Sequence, residues 1–367
     1  MLKKKIIVQL PRTAKEVPGW DERNTDQPVS NTNLLKDRYR LEFEALSRVK
    51  PELIEVPPGE VEDLIAVAHD ADAILVSWGV FIDKTIISQL NKCIILAVGS
   101  VGTDMVDVEA ATEAGIVVTN TPDVFIEETA DHTLMLLLTA GRRLREIDSL
   151  VRSAQWTKGR PILAKLPRLW GQTLGIIGFG NIGTAVARRA RAFGLQIIAH
   201  DPYVSELKLT AEGVEPVSLT EALERSDYLS LHPPLNDETV RMIGHREFEV
   251  MKSSAVLINC SRGGVVDEEA LIAALQNGEI AAAGLDVLEK EPPVPDNPLL
   301  TMSNVVLTPH AASATTRMRP AGRRRAAQEA ALALQGKWPM SPVNPSVLPR
   351  MSLERWQPIP MTRGPNR

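Results

Sequence analysis

The amino-acid sequence predicts an α/β protein with two doubly wound parallel sheets. Two long segments of the chain alternate short apolar, β-rich runs with helical stretches, which is the pattern of parallel strands joined by crossover helices. The second segment opens on an apolar run that leads into Gly-x-Gly-x-x-Gly at residues 178–183. With 367 residues, the chain is long enough for two domains of ordinary size, each with its own core.

The first segment supplies one of the two predicted sheets. Its strand candidates are residues 5–10, 53–56, 73–77, 94–98 and 116–119, and its helical stretches are residues 34–49, 61–69, 84–91 and 106–114. A polar, proline-containing loop at residues 11–33 separates the first strand from the first helix. The segment contains no Gly-x-Gly-x-x-Gly, so we do not expect it to bind a dinucleotide.

The second predicted sheet follows a long helical stretch. Residues 127–154 are predicted to form one helix that connects the two units, with acidic residues near its start and arginines further along, as the helix dipole favours. The strand candidates beyond it are residues 174–178, 196–200, 215–217, 228–232, 255–259, 284–288 and 305–308. A last helix, residues 314–335, is predicted to return to the first unit. The proline-rich segment from residue 338 onward lacks periodicity and is expected to be extended, and either disordered or laid on the surface.

The glycine-rich turn has the order of a dinucleotide-binding βαβ unit: strand, glycines, helix, second strand and a terminal acid, Asp201. Gly178 permits the tight turn, Gly180 lets the backbone approach a pyrophosphate, and Gly183 lets the helix pack on the strand. The free N–H groups at the helix start favour the pyrophosphate charge. Asp201 can accept hydrogen bonds from ribose hydroxyls and repels a 2′-phosphate, so the sequence predicts NAD rather than NADP.

Three polar residues stand at or near the ends of later strands. Arg262 follows an apolar run, where a guanidinium can bind a carboxylate and a keto oxygen, although an ion pair with Asp267 is an alternative. Asp286 lies in an apolar run, where a carboxylate is costly unless it is paired. His310 can exchange a proton near neutral pH, although a packed or capping histidine is an alternative.

Composition excludes several classes of protein. The chain is 44% hydrophobic and 24% charged with a net charge of −5, which gives no basic face for nucleic acid. The cluster Arg323-Arg324-Arg325 is interpreted as a solvated helix face or an interface. Cys93 and Cys260 are too few for a disulfide framework, and no apolar run reaches the length of a signal peptide core or a membrane span. We therefore expect a cytoplasmic protein, and we predict no metal site.

Four motifs in this order resemble the D-isomer-specific 2-hydroxyacid dehydrogenases. They are the glycine turn, residues 259–271, residues 285–292 and Thr308-Pro309-His310, and residues 97–104 and 119–123 agree as well. The resemblance implies a Rossmann NAD-binding domain, residues 121–311, inserted into a flavodoxin-like substrate domain. That domain comprises residues 1–120 and 312–345, and an extended tail follows at 346–367. The resemblance also implies a homodimer formed through the NAD-binding domains.

The same resemblance implies a reaction between a 2-keto acid and a D-2-hydroxy acid. Its catalytic set is Arg262, Glu291 and His310: the histidine moves the proton, the glutamate holds the imidazole, and the arginine polarises the carbonyl and binds the carboxylate. Backbone N–H groups in the first domain take the rest of the carboxylate, so the site closes when the domains meet over the substrate. Asp286 is expected to contact the nicotinamide carboxamide. The other positions implied are, for the substrate, Ser100, Val101 and Gly102, and, for the cofactor, Asn181, Ile182, His232, Pro233 and Cys260.

Some departures from the family bear on the substrate. The phosphoglycerate type usually carries an arginine after the strand at residues 73–77, where this chain has Trp78, which argues against a phosphorylated substrate. The loop at residues 11–33 is longer than usual and is either a surface excursion or a contribution to the cleft mouth. The alternative to an enzyme is an NAD(H)-sensing, corepressor-like binding protein with little turnover. Glu291 disfavours a formate dehydrogenase, which needs no acid–base pair, and phosphite oxidation is unsupported.

Overall fold

A computed structural model describes residues 3–10, 32–56 and 61–355. The strands in chain order are β1 Lys4–Gln9, β2 Pro51–Val56, β3 Ala73–Val76, β4 Ile95–Val98, β5 Val117–Thr119, β6 Thr173–Ile177, β7 Gln196–His200, β8 Glu215–Pro216, β9 Tyr228–Leu231, β10 Val256–Asn259, β11 Ala282–Leu285 and β12 Val305–Leu307. Most of the predicted loop at residues 11–33 lies outside the described residues, as do residues 356–367.

Helices alternate with these strands. In chain order they are α1 Thr32–Arg38, α2 Arg40–Ala45, α3 Val61–Ala68, α4 Lys84–Ile87, α5 Val108–Glu113, α6 Ile126–Gly141, α7 Leu144–Arg152, α8 Trp156–Leu163, α9 Asn181–Ala192, α10 Glu206–Ala211, α11 Leu219–Arg225, α12 His245–Val250, α13 Glu268–Asn277 and α14 Met318–Leu334. Short 3-10 helices lie at Ser47–Val49, Gly263–Val265, Pro298–Leu300 and Pro345–Arg350. Within the described part of the chain, no helix has the length and apolar character needed to cross a bilayer.

The chain divides into two compact units, and the first comprises residues 1–124 and 315–367. Its sheet has the order β2-β1-β3-β4-β5 with every strand pair parallel, which is the flavodoxin-like arrangement. Successive residues of β1 are buried in different clusters: Ile6 and Val8 pack with α14, whereas Ile7 packs with α3 and α4. Both faces of the sheet are therefore covered, as near-continuous apolar strands require.

The second unit, residues 125–314, has a parallel sheet of order β12-β11-β10-β9-β6-β7-β8. Strand β6 pairs with β7 on one side and β9 on the other, so the strand order reverses there. In open α/β sheets, ligands bind at the carboxyl ends of the strands beside this reversal. The predicted fold class, two parallel-sheet α/β domains, is confirmed.

The predicted long helix is wrong, because it is two helices. Helix α6 ends at Gly141 and α7 begins at Leu144, and Arg143 between them has a left-handed backbone with φ +49°. A continuous α-helix contains no such residue. Gly141 also packs against the Tyr228 ring, where a Cβ would lie 2.7 Å from a ring carbon. Both helices belong to the second unit, so this segment is not a helical connection between the units.

The C-terminal segment departs from the predicted extended tail. Residues Pro345–Arg350 form a 3-10 helix whose Val347 and Leu348 are buried in the first unit.

The arginine cluster of α14 is not simply a solvated face. Arg323 forms a buried ion pair with Glu42 at 2.6 Å, and Arg325 lies 2.9 Å from the buried carboxylate of Glu329. Apolar side chains of α14 pack on the sheet, the Arg323–Glu42 pair joins α14 to α2, and the Arg325–Glu329 pair lies within α14 itself.

Candidate active site

The carboxyl edge of the second sheet brings together the polar residues that the sequence singles out. Arg262 follows β10, Asp286 follows β11 directly, and His310 follows β12. Asp286 therefore lies just beyond a strand and not within one, because β11 ends at Leu285. Neighbouring parallel strands point the same way, so these side chains share one edge of the sheet.

His310 and Glu291 form a hydrogen-bonded pair within the second unit. His310 Nδ1 lies 2.7 Å from Glu291 Oε2, and the other carboxylate oxygen accepts a hydrogen bond of 3.1 Å from the Leu288 N–H. Both side chains are about one-third exposed, at 34% and 36%. The pair is thus oriented by the protein while it remains open to a ligand.

The carboxylate of Asp286 organises the loop that carries His310. It is almost fully buried, and it accepts hydrogen bonds from the Thr308 hydroxyl at 2.6 Å and from the backbone N–H groups of Ala311 at 2.9 Å and Ala312 at 2.8 Å. The Asp286 carbonyl accepts another from the His310 N–H at 2.7 Å. His310 itself has a left-handed backbone with φ +51°, a conformation that persists only where neighbours hold it.

His132 of α6 is a member of this cluster that sequence reasoning misses, since a histidine in an apolar helix is expected merely to pack. Its Nε2 lies 2.9 Å from the Thr308 hydroxyl and 3.4 Å from Asp286 Oδ1. Burial alone would raise the pKa of Asp286, but hydrogen bonds from His132, Thr308 and the two backbone N–H groups outweigh it and lower the pKa. Asp286 is therefore a charged acceptor at neutral pH.

Arg262 lies in a loop that side-chain hydrogen bonds define. The buried Asn259 amide donates to the Arg262 carbonyl at 3.0 Å, and its oxygen accepts from the Ser261 N–H at 2.9 Å. The sequence leaves an Arg262–Asp267 ion pair open as an alternative, but the Asp267 carboxylate instead caps helix α13. At Gly263 the loop packs so closely that a Cβ would lie 1.9 Å from the Leu288 carbonyl oxygen. The loop bearing Arg262 thus contacts the turn that leads to Glu291.

The glycine turn fits a dinucleotide. Gly178 has φ +86°, and a Cβ there would lie 2.7 Å from the Pro233 nitrogen, whereas a Cβ at Gly180 would meet no atom within 4 Å. A Cβ at Gly183 would lie 2.4 Å from the Gly178 carbonyl oxygen. Helix α9 begins at Asn181 with no side-chain cap. The turn therefore leaves open space beside the start of α9, where a pyrophosphate binds in such units.

Two side chains beside the turn also fit this cofactor. The Asp201 carboxylate accepts hydrogen bonds from the Phe179 N–H at 2.7 Å and the Tyr203 N–H at 2.9 Å, which holds it next to the glycines. His232 Nε2 lies 2.8 Å from the Ser230 hydroxyl, while its buried Nδ1 has no partner among the described residues. Burial lowers the pKa of His232 to about 4, so the ring is neutral, and a buried ring nitrogen without a partner indicates that a ligand supplies one.

In the first unit, the loop Ser100–Gly102 has its carbonyls paired and its N–H groups unpaired. The three carbonyls accept hydrogen bonds from the Thr121 N–H at 2.9 Å, the Asn120 amide at 2.7 Å and the Ser100 hydroxyl at 2.8 Å. Within the described ranges, no acceptor is found for the N–H groups of residues 100–103. Successive unpaired N–H groups of this kind bind anions.

A dinucleotide turn and a histidine–carboxylate pair at one sheet edge define the nucleotide-binding part of a dehydrogenase. Residues 134–312 match the sequence family described as D-isomer specific 2-hydroxyacid dehydrogenase, NAD binding domain. The chain is 44% identical over 295 residues to the glyoxylate reductase of Korarchaeum cryptofilum, a match that covers 80% of this chain and 89% of that protein. The chain belongs to the D-isomer-specific 2-hydroxyacid dehydrogenase family.

Other relatives agree. The chain is 38% identical over 307 residues to the D-3-phosphoglycerate dehydrogenase of Methanocaldococcus jannaschii, covering 83% of this chain but only 58% of that longer protein. The crystal structure of a glyoxylate reductase from Paecilomyes thermophila is similar with a TM-score of 0.77 and 31% identity, covering 94% of this chain and 99% of that one. The predicted family, an NAD-dependent dehydrogenase, and NAD as its cofactor are confirmed; the roles of single residues stay predictions.

Proposed function

We propose that the protein interconverts a small 2-keto acid and the corresponding D-2-hydroxy acid with NAD(H). The observation that carries the proposal is the His310–Glu291 pair, 2.7 Å apart, at the same sheet edge as Arg262 and the glycine turn. A proton donor, an anion-binding guanidinium and a dinucleotide site are the parts that this reaction needs. When bound, the nicotinamide supplies or accepts the hydride.

Each catalytic side chain has a distinct role. His310 protonates the carbonyl oxygen during reduction and removes the hydroxyl proton during oxidation. Glu291 accepts a hydrogen bond from Nδ1, which fixes the imidazole plane and stabilises its charged form. Arg262 polarises the carbonyl and binds the substrate carboxylate, the bidentate task for which a guanidinium is suited.

The cofactor contacts follow from the fit of the turn. Gly178, Gly180 and Gly183 admit the pyrophosphate to the start of α9, where the N–H groups of Asn181 and Ile182 lie. Asp201 binds the adenosine ribose and disfavours a 2′-phosphate. The remaining proposed contacts are His232, Pro233, Cys260 and Asp286. Because the Asp286 carboxylate already accepts hydrogen bonds within the protein, we propose that it both contacts the carboxamide and holds the His310 loop.

The substrate proposal is a short, unphosphorylated 2-keto acid of the glyoxylate type. The loop Ser100–Gly102 offers unpaired N–H groups for one carboxylate. Strand β3 is followed by Ser77 and the partly exposed Trp78, neither of which carries a positive charge for a phosphate. Several relatives are named glyoxylate reductase, which supports the same choice.

A panel of 2-keto acids with NADH tests the proposal. We expect oxidation of NADH with glyoxylate or hydroxypyruvate, and we expect His310→Ala to abolish most of it while NADH still binds. NADH binding without turnover of any panel member would overturn the proposal. That result would favour the NAD(H)-sensing binding protein, whose partner recruitment should then respond to NADH.

We also propose a homodimer formed through the NAD-binding unit. No side chain between residues 142 and 168 is buried in the single chain, and Leu144, Val151 and Trp156 are 50%, 48% and 69% exposed. Helices α7 and α8 thus expose an apolar surface of the kind that marks an interface. A second copy of the same unit is the proposed partner.

We also propose that the protein is located in the cytoplasm. Cys93 and Cys260 are both buried free thiols, and burial raises the pKa of each to about 12. Two separate thiols without a disulfide suit a reducing compartment.

A further inference from the structure

We propose that Asn120 and Ser341, anchored by the buried Glu329, position the loop Ser100–Gly102 for the substrate carboxylate. The inference rests on the proposed function and adds to it three positioning residues of the first unit: Asn120 after β5, Glu329 in α14, and Ser341 after α14. None of these residues lies in the matched NAD-binding segment, residues 134–312.

The contacts begin at the loop itself. The Asn120 amide donates 2.7 Å to the Val101 carbonyl, and the next residue, Thr121, donates its N–H to the Ser100 carbonyl. These bonds turn two successive carbonyls toward the residues after β5. The neighbouring N–H groups stay available, which is the arrangement that an incoming carboxylate requires. Asn120 therefore controls the direction in which the loop presents its donors.

Asn120 is held in turn by Ser341. The Ser341 hydroxyl lies 2.7 Å from the Asn120 carbonyl and 2.8 Å from Glu329 Oε1, so it stands between two acceptors and donates to one at a time. The Ser341 carbonyl also accepts a hydrogen bond from the Asn120 N–H at 3.3 Å. Position 341 thus fixes the backbone of position 120, although the two are 221 residues apart.

Glu329 of α14 anchors this set. Its side chain is fully buried, and it accepts hydrogen bonds from Arg325 Nε at 2.9 Å and from the Met340 N–H at 2.6 Å. Arg325 also reaches Asp123, at 2.8 Å. A buried carboxylate is costly unless it is paired in this way. The pairing fixes residues 340 and 341 against the segment that bears Asn120.

The test compares variants of the full-length protein in glyoxylate reduction and in oxamate binding with NADH present. Asn120→Ala should raise the KM for glyoxylate and the oxamate Kd by about tenfold, since one hydrogen bond is worth roughly that factor. We expect kcat and the NADH Kd to change less than about threefold, a change below 1 kcal/mol. Ser341→Ala should act in the same direction, and Ser341→Thr, which keeps the hydroxyl, should restore most of the affinity.

Matched controls separate positioning from general damage. Glu354→Gln breaks a Lys337 pair in the same C-terminal segment and should leave both constants unchanged. Glu329→Gln removes the charge that anchors Ser341 and should act in the same direction as Ser341→Ala. If Glu329→Gln fails to fold, the comparison of Ser341→Ala with Ser341→Thr still tests the inference. If the wild type is active and Asn120→Ala has the same KM and oxamate Kd as the wild type, this inference is overturned and the proposed function is not. A wild type that binds NADH but turns over no member of the 2-keto acid panel and does not bind oxamate would overturn the proposed function and the inference together.

Discussion

Nδ1 of His310 lies 2.7 Å from Oε2 of Glu291, and the other oxygen of that carboxylate accepts a hydrogen bond from the Leu288 backbone. The glutamate is therefore fixed on both oxygens, and the imidazole plane is fixed with it. The histidine backbone is fixed separately, by its N–H bond to the Asp286 carbonyl. Side chain and backbone of His310 are thus oriented by two different acids.

The first prediction concerns this pair. Glu291→Gln removes the charge that favours imidazolium, so kcat for glyoxylate reduction should fall by about 10²-fold, the lower range for acid–base groups. The NADH Kd should not change, because the pair is not proposed to hold the cofactor. Steady-state rates and NADH fluorescence titration measure the two effects. Glu289→Gln, two residues away and paired with Arg241, is the control, and equal losses in both variants would contradict the assignment.

The second prediction follows from the lowered pKa of Asp286. Because the folded-state pKa lies below that of the unfolded chain, the charged carboxylate stabilises the fold above the unfolded pKa. This contribution is lost as the pH falls through the folded pKa. Asp286→Asn should therefore lower the free energy of unfolding by about 1–3 kcal/mol at neutral pH, the usual cost of an unsatisfied buried partner. The loss relative to wild type should shrink in acid.

Thermal unfolding between neutral and strongly acidic pH checks the second prediction. The control is Asp296→Asn, an exposed aspartate in the same region, which should follow the wild-type curve throughout. A difference between Asp286→Asn and wild type that stays constant down to the most acidic pH would contradict it.

The sequence predicts well those features that depend on particular residue types at short, fixed spacings. Gly178 and Gly183 are needed because a Cβ would collide with backbone atoms, so the motif itself reports the turn. Gly278 at the end of α13 is needed for a similar reason, because its backbone is left-handed with φ +73°. Such local requirements can be recognised from a few neighbouring residues in the sequence.

Contacts between distant residues explain what the sequence does not predict. Thr308 meets Asp286 across 22 residues and His132 across 176, so no local pattern reports the cluster behind His310. The sequence likewise gives no signal for the break between α6 and α7. Arg143 adopts a positive φ there, and arginine has no special tendency to do so. The packing of Val347 and Leu348 likewise depends on the sheet of the first unit, which the proline-rich composition does not reveal.

The third prediction contrasts two glycines of the turn. Gly178→Ala places a Cβ 2.7 Å from the Pro233 nitrogen in a left-handed backbone, so it should lose stability, by about 1–2 kcal/mol from the backbone alone. Gly180→Ala has an allowed φ of −77° and no atom within 4 Å of its Cβ, so it should fold normally. It should nevertheless bind NADH more weakly, because the added methyl group occupies pyrophosphate space. Melting curves and NADH titrations distinguish the variants, and tight NADH binding by Gly180→Ala would contradict the proposed cofactor position.

The fourth prediction concerns the choice of cofactor. Asp201→Asn keeps an acceptor for the Phe179 N–H but removes the charge that opposes a 2′-phosphate. The ratio of NADPH affinity to NADH affinity should rise by at least about tenfold, equivalent to one charge-assisted contact. Titration with each dinucleotide measures this ratio. Glu206→Gln, at the start of the next helix, is the control, and an unchanged ratio in Asp201→Asn would contradict the role of Asp201.

The fifth prediction concerns the apolar surface of α7. The double variant Leu144→Asp/Val151→Asp places two charges on a helix face that is exposed in the single chain. The fold should therefore persist, whereas self-association through this face should be lost. Light scattering coupled to size-exclusion chromatography should show two chains for the wild type and one for the variant. Ser149→Asp is the control, because helical spacing places position 149 on the opposite side from position 151. A wild type that is already a single chain, or a double variant that remains paired, would contradict the proposed dimer. Loss of pairing in Ser149→Asp as well would show that the effect comes from added charge and not from this apolar surface.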